Sequence, residues 1–546
     1  MLGLRPILVL LIILFMALLG VGIVRYWLKS RDVAETIKDR ISTWVKEETS
    51  GQYKLSIGDL HIDPEKQSIL VSEIVFQPSD KIRSAGSVYK FRLENLLINQ
   101  VTLSSLLESS LLDLSNITIA GGEFEIIRYA DNNDDSTTAK QKKQFSKKGL
   151  QGIKIDSIQL SQLDLVYQAS NKAITKLESV HLDLYGFHTD SLNTTTTNSL
   201  PVASFRLAIE NLRTELSDKE YELKAEKFIL NGAQHFQAII KKIELIPTAG
   251  SSLEAIAAQT PVQMDVYQLS IPEVVIDSLD YRAFLEDSII RTSMILLNEP
   301  SLLIFNDRSR PPSTQSKIGK NPHQLIQQLI FGLEVPVLQV NNGSITYYEK
   351  NKEGTDVGKL RFGSISGNAG PILKGVETKG SLQLDLEAKL MDQVPMKAQF
   401  YFPPGPNGQF TVHASIQSFQ LAALNPVIQP LARVAVRSGK SNLLNFTIQG
   451  SDQGANGKIR FSYQDFKIDI LKEKEKGTPT KRPFLSLLAN QLLIRTHNRL
   501  GDRKAHEFLV REDRDPSKSF FNLIWKTLFE GLKSSAGIRS KDTKPA

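Results

Sequence analysis

The sequence predicts a mainly β protein: an N-terminal transmembrane helix, an extended antiparallel body of paired strands, few short helices, and an amphipathic helix near the C-terminus. Three observations predict it. A nineteen-residue run near the N-terminus carries no charge. Alternation of apolar and polar residues with period two, the mark of half-buried strands, dominates the rest. One apolar spacing also recurs four times along the chain.

The uncharged run is Pro6 to Val24 (PILVLLIILFMALLGVGIV), bounded by Arg5 and Arg25. At 1.5 Å per residue it reaches roughly 28 Å, close to a hydrocarbon core of ~30 Å. Ile7, Leu11, Leu14, Leu18 and Val24 are its anchoring side chains, and Tyr26 and Trp27 follow as an interfacial belt. The rival reading is a cleaved signal peptide. That needs a shorter apolar region, about 7–15 residues, ending in a small-x-small site, and Leu19-Gly20-Val21-Gly22 makes a poor one. Arg25, Lys29 and Arg31 follow the run, against Arg5 and the amino terminus before it, so the positive-inside rule alone would keep the body in the cytoplasm.

Next, Val33, Ile37, Ile41, Trp44 and Val45 recur at helical spacing, and Gly51 supplies a stop. The recurring spacing then begins: an apolar residue followed by others at +3, +5, +8 and +10. Leu114, Ile117, Ile119, Gly122 and Phe124 follow it, as do Ile155, Ile158, Leu160, Leu163 and Leu165. So do Ile271, Val274, Ile276, Leu279 and Tyr281, and Val335, Leu338, Val340, Gly343 and Ile345. Because side chains alternate with period two, a step of three turns the apolar set to water unless a turn or bulge resets the face. Ala120-Gly121-Gly122 and Asn341-Asn342-Gly343 suit such a break, and the expectation is a recurring hairpin inside a long sheet.

Polar stretches punctuate the pattern at 131–148, around Thr194–Thr197, and at 308–321. Short helices are expected over 322–331, 425–435 and 515–533, the last opened by Asp515-Pro516 as cap and first turn. Phe521, Ile524, Trp525, Leu528, Phe529 and Leu532 then line one side of it. The chain thus divides into a tip and anchor (1–27), an amphipathic helix (28–50), a β-rich region (51–130), a polar linker (131–150), a second β-rich region (151–307), a linker (308–321), a third β region (322–470) and a basic tail (471–546).

Composition narrows the function. The 546 residues are 41% hydrophobic, enough for a sizeable buried surface, and contain no cysteine, so thiolate metal sites and cysteine nucleophiles are out. The net charge of +7 is uneven: from Leu471 onward 17 Lys/Arg face 9 Asp/Glu, while the remaining 49 and 50 nearly cancel. A neutral body with a basic tail does not fit a nucleic-acid binder. The eight histidines form no HExxH pair, Gly439-Lys440-Ser441 lacks the upstream glycine of a phosphate loop and reads as a turn between strands, and Gly363 to Gly367 carries Ile365 where a nucleophile would stand. Carboxylates such as Asp164 and Asp280 read as outward-facing strand residues. The expectation is no enzyme, no cofactor and no metal.

The opening SGQYKLSIGDLHIDPEKQSILVSEIVF, after a membrane helix and a short amphipathic helix, resembles the start of AsmA-like bacterial envelope proteins. The stretch LNPVIQPLARVAVRSGKSNLLNFTIQGSDQGANGKIRFSYQDFKIDIL resembles their C-terminal block, with Asn425-Pro426, Ser438-Gly439, Gly457 and Tyr463 in the expected places, and Leu333 to Lys350 has the same character. The resemblance implies a single-pass bacterial inner-membrane anchor with the bulk in the periplasm. It also implies a β-groove or taco-like body related to TamB and chorein-type lipid-transfer proteins, and a role in phospholipid transport or outer-membrane homeostasis. Groove candidates are the inward members of the repeats: Ile155, Leu160, Ile271, Ile276, Val335 and Val340. Expected partners are membrane phospholipids and, through sheet edges or the C-terminal helix, other envelope proteins. The alternative is an envelope scaffold without lipid cargo, or ordinary β-sandwiches that close the apolar faces on each other.

Overall fold

The computed structural model describes residues 33–63, 65–79, 87–101, 111–129, 152–169, 173–189, 202–216, 220–232, 236–248, 252–376, 380–471, 495–499, 507–538 and 543–545. The anchor run Pro6 to Val24, the 131–150 linker and much of the basic tail lie outside them. Among the described residues no helix is long and apolar enough to cross a membrane. The chain forms two compact units, Met1–Lys242 and Ile243–Ala546.

The first unit opens with helix α1 (Val33–Glu48), which lays Ile37, Ile41 and Val45 against the first strand. Gly51, at φ +73°, closes it, its N–H donating to Lys46 O at 2.7 Å. There follow β1 (Tyr53–Asp63), β2 (Ser68–Pro78), β3 (Ser87–Val101), β4 (Leu111–Arg128) and β5 (Gly152–Gln168). Then come β6 (Ile174–Thr189), β7 (Ser204–Glu215), β8 (Tyr221–Ala225), β9 (Lys227–Gly232) and β10 (Gln237–Pro247). Neighbours pair antiparallel, except that β4 and β5 run parallel.

The second unit begins with α2 (Leu253–Gln259), β11 (Asp265–Asp277) and α3 (Tyr281–Asp287), then β12 (Ile289–Arg291), β13 (Met294–Asn298) and β14 (Ser301–Asp307). Next are α4 (Pro322–Gln327), β15 (Gly332–Val335), β16 (Val337–Lys350), β17 (Val357–Gly370), β18 (Ile372–Lys374), β19 (Leu382–Leu390) and β20 (Val394–Phe402). The unit ends with β21 (Phe410–Ile416), β22 (Phe419–Gln420), α5 (Asn425–Ala432), β23 (Val434–Gly450), β24 (Gly454–Ile470), β25 (Glu507–Asp513), α6 (Phe520–Ser535) and β26 (Thr543–Pro545). From β16 through β26 the main sheet is antiparallel, whereas β13 and β14 join β16 in parallel. A separate small sheet holds β12, β15 and β18.

The mainly β, antiparallel-dominated body is as the sequence predicts; several details differ. The breaks in the repeat are not hairpin turns. They are kinks inside strands up to eighteen residues long: β4 runs straight through Gly121, at φ +73°, and β5 through Gln162, at φ +54°. Asn342 does the same for β16 at φ +51°. Gly439-Lys440-Ser441 likewise sits inside β23, where the register against β24 shifts, instead of joining two strands. The third repeat leaves the sheet after Asp277: Asp280 caps α3, its carboxylate accepting from Arg282 N at 3.0 Å and Ala283 N at 3.1 Å, so it is no outward strand residue. Residues 308–321 lack regular structure but are tied down, with Lys317 N–H donating to Pro516 O at 2.6 Å and its ammonium paired with Asp265 at 2.8 Å.

The start of α6 also moves. Ser519 is its cap, accepting from Asn522 N, while Asp515 accepts from Ser517 N and Oγ in the turn before it. The helix approaches the sheet through small residues. A Cβ at Gly457 would meet Thr527 Cγ2 at 2.5 Å, and one at Gly531 would meet Ile459 at 2.8 Å. Tyr463, fully buried, places its hydroxyl 3.0 Å from both Ser535 O and Arg495 O, holding the helix end to β24.

Gly367 is the tightest kink: at φ +151° its Cβ would lie 1.9 Å from Asp385 O. Gly367→Ala is expected to cost about 1–3 kcal/mol of stability through backbone strain and displacement of β19, as read by urea unfolding.

Candidate functional site: a continuous apolar sheet face

Cross-strand partners share a face, so reading register from strand to strand traces what each face presents. In the first unit one such row is Leu60, Val71, Leu96, Ile119, Leu160, Leu182, Leu207, Leu230 and Ala238, apolar across nine strands. The next row is Ile57, Ile74, Leu93, Gly122, Leu163, Val180, Ile209, Phe228 and Ile240. Between these rows β1 to β5 each take a three-residue step, at Gly58, Glu73, Glu94, Gly121 and Gln162. The kinks therefore line up and the apolar face survives them. A further row stacks Tyr53, Phe76, Phe91 and Phe124, ring centroids 4.6, 4.9 and 5.4 Å apart.

The second unit repeats the device. Val274, Leu297, Val340, Gly367, Leu386, Ala398, Ala414, Phe446, Ile459 and Phe508 form one row across ten strands. Beside it run Ile276, Ile295, Leu338, Ala369, Leu384, Phe400, Val412, Ile448, Gly457 and Val510.

Burial along these rows is uneven. Under α1, Val71, Ile74, Leu93 and Leu96 are buried; under α6, Val412, Ile448, Ile459 and Val510 are buried. Away from those helices the same rows are only half-buried, at Leu182, Leu207, Phe228 and Leu230 in the first unit and at Ile295, Leu297, Leu338, Val340, Leu384 and Leu386 in the second. The helix α5 reaches the face near Gly358 and Leu360, toward the other end of β17 from Leu384.

The candidates from sequence separate accordingly. Ile155 and Leu160 belong to the closed core of the first unit. Ile276 and Val340 lie in adjacent rows of the second unit and are half-buried, with Ile271 buried at the kink of β11. Val335 does not join Val340: Pro336 separates them, and Val335 is buried in the small sheet. On α6, Leu528 is buried and Ile524 and Leu532 pack on the core, whereas Phe521, Trp525 and Phe529 are exposed. Those six residues therefore do not form one buried face. Ile7, Leu11, Leu14, Leu18 and Val24 lie outside the described residues.

The opposite face of the second unit is polar. A depression of about 880 Å³ there is lined by paired groups: Lys397 with Glu387 at 2.5 Å, Lys458 with Glu507 at 2.8 Å, Gln399 with Asp385 at 2.7 Å and His413 with Thr447 at 2.9 Å. Among the described residues no group of three His, Asp or Glu is placed to hold a metal.

One cluster escaped sequence reasoning. Asn321, His323, Gln324, Asp452 and Arg514 meet beside α4. Arg514 Nη2 donates to Asn321 Oδ1 at 3.3 Å, and Gln324 Nε2 donates to Asp452 Oδ2 at 2.9 Å. His323 stacks on Phe402, centroids 4.9 Å apart. Both its ring nitrogens, and Nε and Nη1 of Arg514, are buried without a protein partner. The only sequence signal was the Asn-Pro helix start at Asn321-Pro322.

No family model matches the sequence, and no curated protein is significantly similar to it. Fold and face together define a class: a large, mainly β protein with two units, each carrying one apolar sheet face that its helices cover only in part.

Burial holds the His323 imidazole below its usual value of 6.5, with Asp452 partly opposing. The unfolded chain therefore takes up the proton first as pH falls. The stability from this packing is complete above pH 6.5 and is lost as pH drops through the lower folded value. His323→Phe, which keeps the ring stack, is expected to flatten the acid-side fall of Tm in melts across that range. Leu93→Ala, in the closed part of the face, is expected to cost about 2–5 kcal/mol. Leu384→Ala, in the half-buried part, should cost only about 1–2 kcal/mol, both read by denaturant unfolding.

Proposed function

We propose that this chain is a non-enzymatic, membrane-anchored envelope protein of the AsmA-like kind, in which the half-buried apolar rows serve as a trough for phospholipid acyl chains. The observation that carries this reading is the persistence of two apolar rows across ten strands of the second unit, buried under α6 and only half-buried on the strands from β11 to β20. At ~4.8 Å between strands, the six strands outside the cover of α6 (β11, β13, β16, β17, β19 and β20) extend over roughly 24 Å, beyond the ~15 Å depth of one hydrocarbon leaflet. Each acyl methylene withdrawn from water there contributes about 0.8 kcal/mol, so a chain laid along the rows offsets much of what leaving a bilayer costs.

The uncharged Pro6 to Val24 run supports a single inner-membrane tether, and the family resemblance supports a periplasmic body. Phospholipid is the partner this reading requires. The alternative, a scaffold binding other proteins without lipid cargo, predicts a dry face.

The test is photocrosslinking in cells, with benzoylphenylalanine in place of Val340 or Leu384 on the apolar face and of Gln399 on the polar face. Phospholipid adducts at the first two positions and none at the third are expected. Val340→Glu should then remove the adduct at Leu384 while the protein still unfolds cooperatively. Folded protein with no lipid adduct at either apolar position would overturn the proposal in favour of a scaffold. Leu160→Glu is unsuited to this purpose, because Leu160 lies in the closed core and a charge there disrupts folding.

A further inference from the structure

The helix α6 has two apolar sides, and among the described residues only one packs against the sheet. Phe520, Leu523, Thr527, Leu528 and Gly531 are buried against the sheet. Phe521, Trp525 and Phe529, at i, i+4 and i+8, point away from it and are 60%, 42% and 40% exposed. The rings of Trp525 and Phe529 stack at 5.8 Å, and the Lys533 ammonium lies 5.3 Å from the Phe529 centroid. Ile538, just past the helix, is exposed as well.

The helix cannot roll to bury this stripe. Gly531 on Ile459, Gly457 on Thr527, and the Tyr463 hydroxyl at Ser535 O fix its rotation. The fold thus leaves three aromatic rings partly open to water, at a cost set by their exposed area.

We propose that this stripe is a docking surface for an anionic lipid bilayer, entering its headgroup layer with the helix lying parallel to the plane. Three features favour a membrane over a protein pocket. Trp and Phe beside Lys is the composition of interfacial helices, in which rings sink and ammonium groups reach back to the headgroups. The helix belongs, in sequence, to the basic part of the chain, where 17 Lys/Arg face 9 Asp/Glu from Leu471 onward, a charge balance that favours acidic phospholipid. Two acids on and beside the helix are ion-paired, Glu530 with Lys533 at 2.6 Å and Glu512 with Lys526 at 3.5 Å. The inference does not rest on the trough: a protein with a dry sheet face would still dock here.

The chain has three tryptophans, Trp27, Trp44 and Trp525. The test uses full-length protein with Trp27→Phe and Trp44→Phe, held in phosphatidylcholine nanodiscs and mixed with acceptor vesicles of brominated lipid. With phosphatidylglycerol in the acceptors, Trp525 emission is expected to shift to the blue and be quenched severalfold more than with phosphatidylcholine alone, and salt should reverse the difference. Phe521→Ser with Phe529→Ser should abolish the quenching without lowering Tm. Should the tryptophan replacements impair folding, co-flotation of the unmodified chain with anionic vesicles, lost in the double Phe→Ser variant, reads the same contact. Folded protein that shows neither quenching nor co-flotation with anionic vesicles overturns the proposal. So does shielding of Trp525 by an envelope protein extract but not by vesicles.

Discussion

Everything in this molecule depends on keeping an apolar face continuous across strands whose side chains alternate with period two. A strand long enough to cross such a sheet also twists and bends, and each bend threatens to hand the apolar set to water. The solution is coordination. The kinks at Gly58, Glu73, Glu94, Gly121 and Gln162 stand opposite one another, so β1 to β5 change phase at the same line and Leu60, Val71, Leu96, Ile119 and Leu160 remain in one row; beyond them β6 steps only from Val180 to Leu182, and a register shift against β5 carries the row across. A strand out of phase breaks the row unless a bulge absorbs the extra residue, as it does between β5 and β6.

The helices act on this face as local covers. The grip of α1 comes from Ile37, Ile41 and Val45, and that of α6 from Phe520, Leu523 and Leu528 together with a close backbone approach. On α6 the contacts run through Thr527, Gly531, Ser534 and Ser535, small residues that let the helix backbone settle onto β24, itself opened by Gly457. Large side chains at those positions would hold helix and sheet apart and leave Ile459 and Ile448 wet. The short helices α3 and α4 sit against β12 and β18 of the small sheet, the first capped by Asp280 and the second held by Asn321, whose side-chain amide donates to Gly408 O.

Much of this was legible in the residues. The steps of three in Leu114-Ile117-Ile119-Gly122-Phe124 and in Ile155-Ile158-Leu160-Leu163-Leu165 announced both the strands and the face changes, because apolar phase is a local property. Whether a face change is a hairpin or a kink was not legible: Asn341-Asn342-Gly343 has turn chemistry, and only pairing with β14 and β17 on either side keeps the strand running through it. The parallel pairs β4–β5 and β13–β16 were equally hidden, since alternation is the same for either direction. For the C-terminal helix the apolar side was legible and its division was not: Ile524, Leu528 and Leu532 pack on the core beside Phe520 and Leu523, while Phe521, Trp525 and Phe529 stay exposed. The cluster of His323, Asp452 and Arg514 joins residues far apart in sequence and left no periodic trace.

The aligned kinks have a consequence for how such a sheet can change over time. Adding or removing one residue inside a strand turns what lies beyond it to the other face, and strands a column of leucines and isoleucines in solvent, unless a register shift like that between β5 and β6 absorbs it. Inserting a complete pair of strands at a connection disturbs no phase, because the newcomers need only match the kink lines of their immediate neighbours. Length in this architecture is therefore freely adjustable in the direction across the strands and nearly frozen along them, so lineages can lengthen the sheet in whole hairpins while the width of its greasy face stays the same.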